Sequence, residues 1–314
     1  MLPSFKELAE TAKRIRPFIH RTPVLTSRSI DELSGMKLFF KCENFQRMGA
    51  FKMRGATNAV LQLSAENRKY GVATHSSGNF AQALSLAAKN SGLKAYIVMP
   101  ENAPEVKRKA VLGYGAEIID CAPTLEARES TLNQVVARTG ACFIHPYNDI
   151  NVILGQGTCA MELIEDTEDL DIIIAPVGGG GLISGTAIAA HYLKPDTKIY
   201  AGEPFGADDA YRSIQKGEIV PSINPLTIAD GLRTSLGDKT FSIMKELLTG
   251  IIRVEENEII FAMRLLWERM KIIIEPSGSV PLAAILREKN KFKAKRIGII
   301  LSGGNVDLGN LPFK

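Results

Sequence analysis

The chain has 314 residues, 45% of them hydrophobic and 23% charged, with a formal net charge of +4. That length supplies about two domains of material and a core that needs no disulfide or metal to hold it. The composition excludes disordered, collagen-like and coiled-coil classes, and the thin, evenly spread positive excess argues against a nucleic-acid partner.

The start, Met1 to Lys6, runs into a charged amphipathic pattern without an apolar signal core. No run approaches the ~18 apolar residues needed to cross a bilayer, so neither a secretory signal nor a membrane partner is expected. Going along the chain, strands are predicted at 72–75, 95–99, 117–120, 142–145, 171–177, 198–203, 251–254 and 296–301. Helices are predicted at 80–90, 104–112, 125–139, 158–166, 182–193 and 259–271. Alternating strands and helices mean parallel sheets with crossover helices, and continuously apolar strands mean sheets covered on both faces. The expected class is α/β: two open, twisted, parallel-type sheets with flanking helices. Four scattered cysteines (Cys42, Cys121, Cys142, Cys159) form no Cys-x-x-Cys pair, and the four histidines are equally dispersed. That pattern fits reduced thiols in a cytoplasm rather than a zinc site.

Three predicted strands end in loops rich in Ser, Gly and Asn: Ser76-Ser77-Gly78-Asn79, Gly178-Gly179-Gly180-Gly181 and Ser302-Gly303-Gly304-Asn305. In open parallel sheets, ligands bind beyond the carboxyl ends of strands. Consecutive glycine amides at a helix N-terminus form an anion cradle, for which a phosphate is the natural occupant; taken alone, the loop fits a tight strand-to-helix turn as well. It has neither the Gly-x-Gly-x-x-Gly spacing of a dinucleotide site nor the Gly-Lys-Ser/Thr ending of a triphosphate loop. Lys52 sits between Phe51 and Met53 among small residues. A lysine so withdrawn from water loses basicity and becomes a nucleophile or base. Such a lysine with a phosphate cradle is what an aldehyde cofactor such as pyridoxal phosphate needs.

Glu43-Asn44-Phe45-Gln46, Phe51-Lys52-Met53-Arg54-Gly55-Ala56 and the three loops, in this order, resemble the fold-type II pyridoxal-phosphate enzymes, whose architecture is tryptophan synthase β-like. The resemblance covers about Phe5 to Leu308 and is greatest to the serine racemase, serine/threonine dehydratase and threo-3-hydroxyaspartate dehydratase branch. It implies that Lys52 carries the cofactor through an imine and that Phe51 packs near the ring. Asn79 would meet the ring hydroxyl, Gly178, Gly179, Gly180 and Gly181 the phosphate, and Ser302 the pyridine nitrogen. Ser76, Ser77 and Asn79 would receive the substrate carboxylate. Lys52 and Ser77 would be the acid–base pair on opposite faces of the substrate Cα.

The same resemblance implies a divalent cation (Mg, Ca or Mn) held by Glu203, the carbonyl of Ala207, and Asp209, and an approach of Arg128 to the distal group of the substrate. Read without it, Asp208 or Asp209 is a helix cap and Arg128 a solvated charge. Gln82, Tyr114 and Lys271 match positions that bind an adenine nucleotide effector in some relatives, and a homodimer is expected. Phe80-Ala81 departs from the usual His-Gly or His-Ala, Ala50 from a common Ser, and Ser279 from Ala or Gly. Residues 66–147 would form a small mobile domain inserted into a large cofactor-binding domain of 1–65 and 148–314. The expected function is cytoplasmic pyridoxal-phosphate dependent dehydration to a 2-oxo acid and ammonia, and/or racemisation, of serine, threonine or 3-hydroxyaspartate. Its rivals are another β-elimination or replacement enzyme such as cysteine synthase, and a non-catalytic nucleotide-binding module.

Overall fold

A computed structural model describes residues 2–313. Its strands are β1 (Val24–Leu25), β2 (Lys37–Cys42), β3 (Val72–His75), β4 (Ala95–Pro100), β5 (Glu117–Cys121), β6 (Cys142–Phe143), β7 (Ile172–Pro176), β8 (Lys198–Pro204), β9 (Gly250–Val254) and β10 (Arg296–Leu301). Among the described residues they form a six-stranded sheet, ordered β1-β2-β10-β7-β8-β9, and a four-stranded sheet, ordered β5-β4-β3-β6. All pairings are parallel except β1 with β2, so the larger sheet is mixed at that edge.

Alternation along the large sheet sends side chains into two separate cores. Ile297, Ile299 and Leu301 of β10, with Ile172 and Ile174 of β7, pack under the helix Pro276–Arg287. Ile173, Ala175 and Ile300 face the other way, against the helices Ile150–Asp166 and Gly181–Leu193. Both faces are thus covered, as a parallel sheet requires. The small sheet packs on a third core, in which Val72, Ile97 and Met99 meet Phe80 and Leu84 of the helix Asn79–Asn90 together with Met53 and Val60 of the helix Lys52–Leu61.

The structure moves several predicted boundaries. The strand predicted to reach residue 145 ends at Phe143. The helix predicted at 158–166 begins at Ile150, where Asp149 caps the amides of Asn151 and Val152. Gly155 and Gly157 look like breakers in sequence, yet they permit close packing: a Cβ on Gly155 would lie 2.5 Å from the Gly55 Cα. Strands β1 and β2 and the helix Lys52–Leu61 escaped sequence reading. In β2 a buried Lys41 interrupts the apolar run, and the helix after Lys52 carries a buried Arg54.

These two cations belong to one network. The Arg54 guanidinium donates to Glu43 (2.7 and 2.8 Å), to Glu162 (2.8 and 2.7 Å) and to the Thr158 hydroxyl (3.2 Å). The Lys41 ammonium reaches Glu162 at 2.7 Å and the Thr22 carbonyl at 2.7 Å. Arg54, Lys41 and Glu43 are fully buried, which is tolerable only because each charge is paired and hydrogen-bonded. The network pins the first turn of the helix Lys52–Leu61 to β2 and to the helix Ile150–Asp166.

Candidate active site

Lys52 is the first residue of its helix and lies at the carboxyl-end side of the large sheet, beside the end of β10: the Phe51 amide donates to the Ser302 carbonyl at 3.0 Å. The Lys52 ammonium donates to the Pro146 carbonyl at 2.8 Å. It also lies 5.1 Å from the Phe51 ring centre and 5.6 Å from that of Phe80. The side chain keeps some contact with solvent along the cleft, but protein crowds the amine, and burial brings it down from 10.5 to about 8. About a tenth is therefore the neutral amine at about pH 7, far more than for an ordinary lysine, and that is the form that attacks an aldehyde.

The four-glycine loop is adjacent. The ring of Tyr147, the residue after Pro146, lies where a Cβ on Gly179 would come within 2.4 Å of it. Gly180 has φ +90, a left-handed conformation that disfavours any side chain. The loop is buried, and the helix Gly181–Leu193 starts from it without a side-chain cap. Among the described residues, no protein acceptor takes a hydrogen bond from the amides of Gly178, Gly179 or Gly180. Buried amides of this kind require a partner, and at a helix N-terminus the fitting partner is an anion. The loop is braced from behind, where the Thr240 hydroxyl donates to the Gly179 carbonyl at 2.8 Å.

On the other side of Lys52, the helix Asn79–Asn90 begins after Gly78, again without a side-chain cap. Ser76 and Ser77 lie in the turn leading to it, and the Ser76 hydroxyl accepts from the Gly78 amide at 3.3 Å. The Asn79 carboxamide donates to Glu275 and accepts from Asn305. Ser302 is buried at the end of β10. Lys52, Phe51, the glycine loop, Asn79 and Ser302 are thus linked, through Pro146, Tyr147 and Glu275, into one site at the carboxyl ends of both sheets. Its donor set fits a phosphorylated aldehyde: one weakly basic amine, a cradle of free amides and buried amide and hydroxyl groups.

Arg128 lies on the helix Leu125–Thr139, half-buried, with an Nε that is shielded and unpartnered among the described residues. It is close enough to His75, the last residue of β3, to help depress that imidazole, whose basicity falls mainly through burial.

Glu203 ends up buried beside Asp209. Its two oxygens accept the amides of Ala210 and Tyr211, each at 2.8 Å. Neither Asp209 oxygen has a partner among the described residues. Burial drives Glu203 well above the usual carboxylate range, helped by Asp209, and pushes Asp209 up to about 7. Asp208 is otherwise engaged, with Arg212 at 2.7 Å and Arg253 at 2.9 Å, and caps no helix through its side chain. Among the described residues, no group of three or more His, Cys, Asp or Glu side chains is arranged to hold a metal ion. Two buried carboxylates and a carbonyl such as that of Ala207 nevertheless suit a hard divalent cation.

The family model described as "Pyridoxal-phosphate dependent enzyme" matches residues 15–303. The chain belongs to the pyridoxal-phosphate dependent enzyme family. It is 54% identical over 312 residues to a serine racemase of Dictyostelium discoideum, covering 98% of this chain and 96% of that protein. To a beta-hydroxyaspartate dehydratase of Paracoccus denitrificans (strain Pd 1222) it is 49% identical over 312 residues, with 99% of each chain covered. The solved structure of a T.th. threonine deaminase superposes with a TM-score of 0.93 at 42% identity, covering 98% of this chain and 99% of that one. The fold is therefore that of the fold-type II enzymes, and the chain is a pyridoxal-phosphate dependent enzyme.

Sequence reasoning assigned no role to Glu275, Tyr147 or Thr240, and used Asn305 only as the last letter of a motif. Glu275 stands directly before Pro276, which opens a helix. An acidic residue followed by proline at a helix start is a readable signal, but it points to a cap, and Glu275 makes no side-chain cap.

Proposed function

We propose that this enzyme dehydrates serine, threonine or 3-hydroxyaspartate to a 2-oxo acid and ammonia, racemises such an amino acid, or does both. The observation that carries the reading is the lysine of depressed basicity, Lys52, beside a buried loop of glycine amides without protein acceptors. The relatives named above, a racemase and a dehydratase, support the same pair of outcomes.

Bound pyridoxal phosphate supplies an electron sink that weakens the Cα–H bond of the amino acid. Gly178, Gly179, Gly180 and Gly181 would hold its phosphate, Asn79 its ring hydroxyl and Ser302 its ring nitrogen, with Phe51 beside the ring. Lys52 Nζ takes the Cα proton on one face. Ser77 Oγ gives or takes a proton on the other. Return of a proton from Ser77 inverts the centre, whereas loss of a β-hydroxyl commits the substrate to elimination. Ser76, Ser77 and the uncapped start of the helix Asn79–Asn90 receive the substrate carboxylate, where free amides and the helix dipole favour an anion. Arg128, with its unpartnered Nε, meets a distal carboxylate, which favours a substrate such as 3-hydroxyaspartate.

In this reading Glu203, the Ala207 carbonyl and Asp209 bind Mg, Ca or Mn in a structural role, supported by the partnerless Asp209 oxygens. Residues 66–147 act as a small domain that closes over the cleft and excludes water. The enzyme works as a cytoplasmic homodimer. Four free cysteines agree with a reducing compartment, and among the described residues no helix is long and apolar enough to cross a membrane. Gln82, Tyr114 and Lys271 serve ordinary surface and interface packing in this reading, with contact to an adenine nucleotide effector as the alternative. A panel of both enantiomers of the three substrates, followed for 2-oxo acid and for product chirality with and without a chelator, tests the reading. Turnover of none of them, with sulfide incorporation instead, would overturn it.

A further inference from the structure

Glu275 occupies the N-cap position of the helix Pro276–Arg287, but its carboxylate turns away from the helix and is buried. Asn79 Nδ2 donates to Oε1 at 2.9 Å and to Oε2 at 3.1 Å. The Asn305 amide donates to Oε2 at 3.2 Å. Gly303 makes the seat: a Cβ there would lie 2.8 Å from Oε1. The Glu275 amide in turn donates to the Gly303 carbonyl at 3.0 Å. Gly303 and Asn305, with Asn79 facing them, therefore build a socket around this one carboxylate.

The socket has a direction. Asn305 Nδ2 donates to the Met48 carbonyl and to Asn79 Oδ1, each at 2.9 Å. A backbone carbonyl can only accept, so Asn305 must present its NH2 group there. The second hydrogen of that NH2 meets Asn79, which must answer with its oxygen. The Asn79 NH2 group is left to Glu275, an acceptor. Two oxygens so close together share one hydrogen of that group, and the other remains free.

We propose that Glu275 is a positioning residue for the reaction: with Asn305 it locks the Asn79 carboxamide so that what Asn79 offers the ring oxygen of the cofactor is an N–H donor rather than a carbonyl. The proposal rests on the reading of Asn79 as the contact to that oxygen. A donor there stabilises the oxygen as an anion, the form with a partner for its charge. Glu275 is held near 7 by opposing influences. Burial and Asp230 push its proton on, whereas Asn79, Lys107 and the Asn305 amide pull it off. Lys107 and Asp230 are themselves an ion pair. The strength of the acceptor behind Asn79 therefore changes around neutral pH.

The test uses holoenzyme carrying Glu275→Gln, an isosteric change that puts an NH2 group where only acceptors fit. The bound cofactor's ratio of long-wavelength to near-ultraviolet absorbance should fall, and its dependence on pH near neutrality should flatten. Cofactor affinity should weaken about tenfold, as expected for losing one charge-assisted hydrogen bond. A spectrum, pH dependence and affinity equal to wild type would overturn the proposal. Should Glu275→Gln fail to fold, Asn305→Ala leaves the carboxylate in place and frees Asn79 Oδ1. It should shift the spectrum in the same direction, and an unshifted spectrum would be equally fatal. Asn79→Ala separates the premise from the proposal. If it leaves the spectrum unchanged, Asn79 does not touch the ring oxygen and both fall. If it changes the spectrum while Glu275→Gln does not, the role of Glu275 alone is refuted.

Discussion

Arg54→Met tests whether the buried charge network anchors the helix that begins with Lys52. The substitution preserves length and apolar bulk but removes the donors that satisfy both oxygens of Glu43 and both of Glu162. Glu43 is fully buried, and the Thr22 hydroxyl would be its remaining side-chain donor in the network. Breaking a buried pair on one side strands the other charge, at a cost of about 3–5 kcal/mol. In a chain of this size each kcal/mol moves the melting midpoint by about 2 °C, so a fall of roughly 6–10 °C is expected. The acid limb should move as well. Burial raises the Glu162 carboxyl, but Arg54 and Lys41 more than offset this and hold it below 4.5. A carboxyl lowered in the folded state adds stability above its ordinary value, and that stability is lost as pH falls through the lowered one. With Arg54 gone the lowering shrinks, so acid unfolding should begin at higher pH. Urea unfolding and thermal melts between neutral and acid pH read both effects. Adding Glu43→Met should recover part of the loss by removing the stranded charge. A loss below about 1 kcal/mol with an unmoved acid limb would refute the argument.

Ser77→Ala should abolish racemisation and turnover of the D-enantiomer while leaving part of the L-elimination; equal loss of all three, followed by chiral chromatography and 2-oxo acid release, contradicts a two-face scheme. Gly179→Ala would set a Cβ 2.4 Å from the Tyr147 ring. It should cost about 1–3 kcal/mol in unfolding free energy and weaken cofactor binding measured by absorbance titration; an unaffected variant means the loop is neither tight nor a cradle. Magnesium, calcium or manganese should raise the melting midpoint of chelator-treated protein, and Asp209→Asn should remove that response; a response that survives the substitution places the cation elsewhere.

Much of the fold was legible because its signals are local. The strand at 296–301 and the helix at 125–139 are bounded by the structure as the sequence reading has them, since an apolar run and a capping Thr124 with a left-handed Gly140 mark their ends. The helix from Ile150 was half hidden because Gly155 and Gly157 serve close helix contacts with Gly55 and Gly185 that only the tertiary structure reveals. Strand β2 was hidden by Lys41, whose burial makes sense only beside Glu162 from another helix. For the site, Lys52 and the glycine loop announce themselves through their neighbours in sequence. Glu275 does not, because its partners Asn79 and Asn305 lie 196 and 30 residues away. The carboxylates at 203 and 209 were visible as a pair, but the absence of partners for Asp209 is a property of packing.

The most direct test of the account is the attachment point of the cofactor. Purified holoenzyme should show a visible band that borohydride abolishes, and peptide mapping of the reduced protein should recover the phosphopyridoxyl group on Lys52, with Lys52→Ala lacking both band and label. Label recovered on another lysine, or a band that persists in Lys52→Ala, would contradict the account.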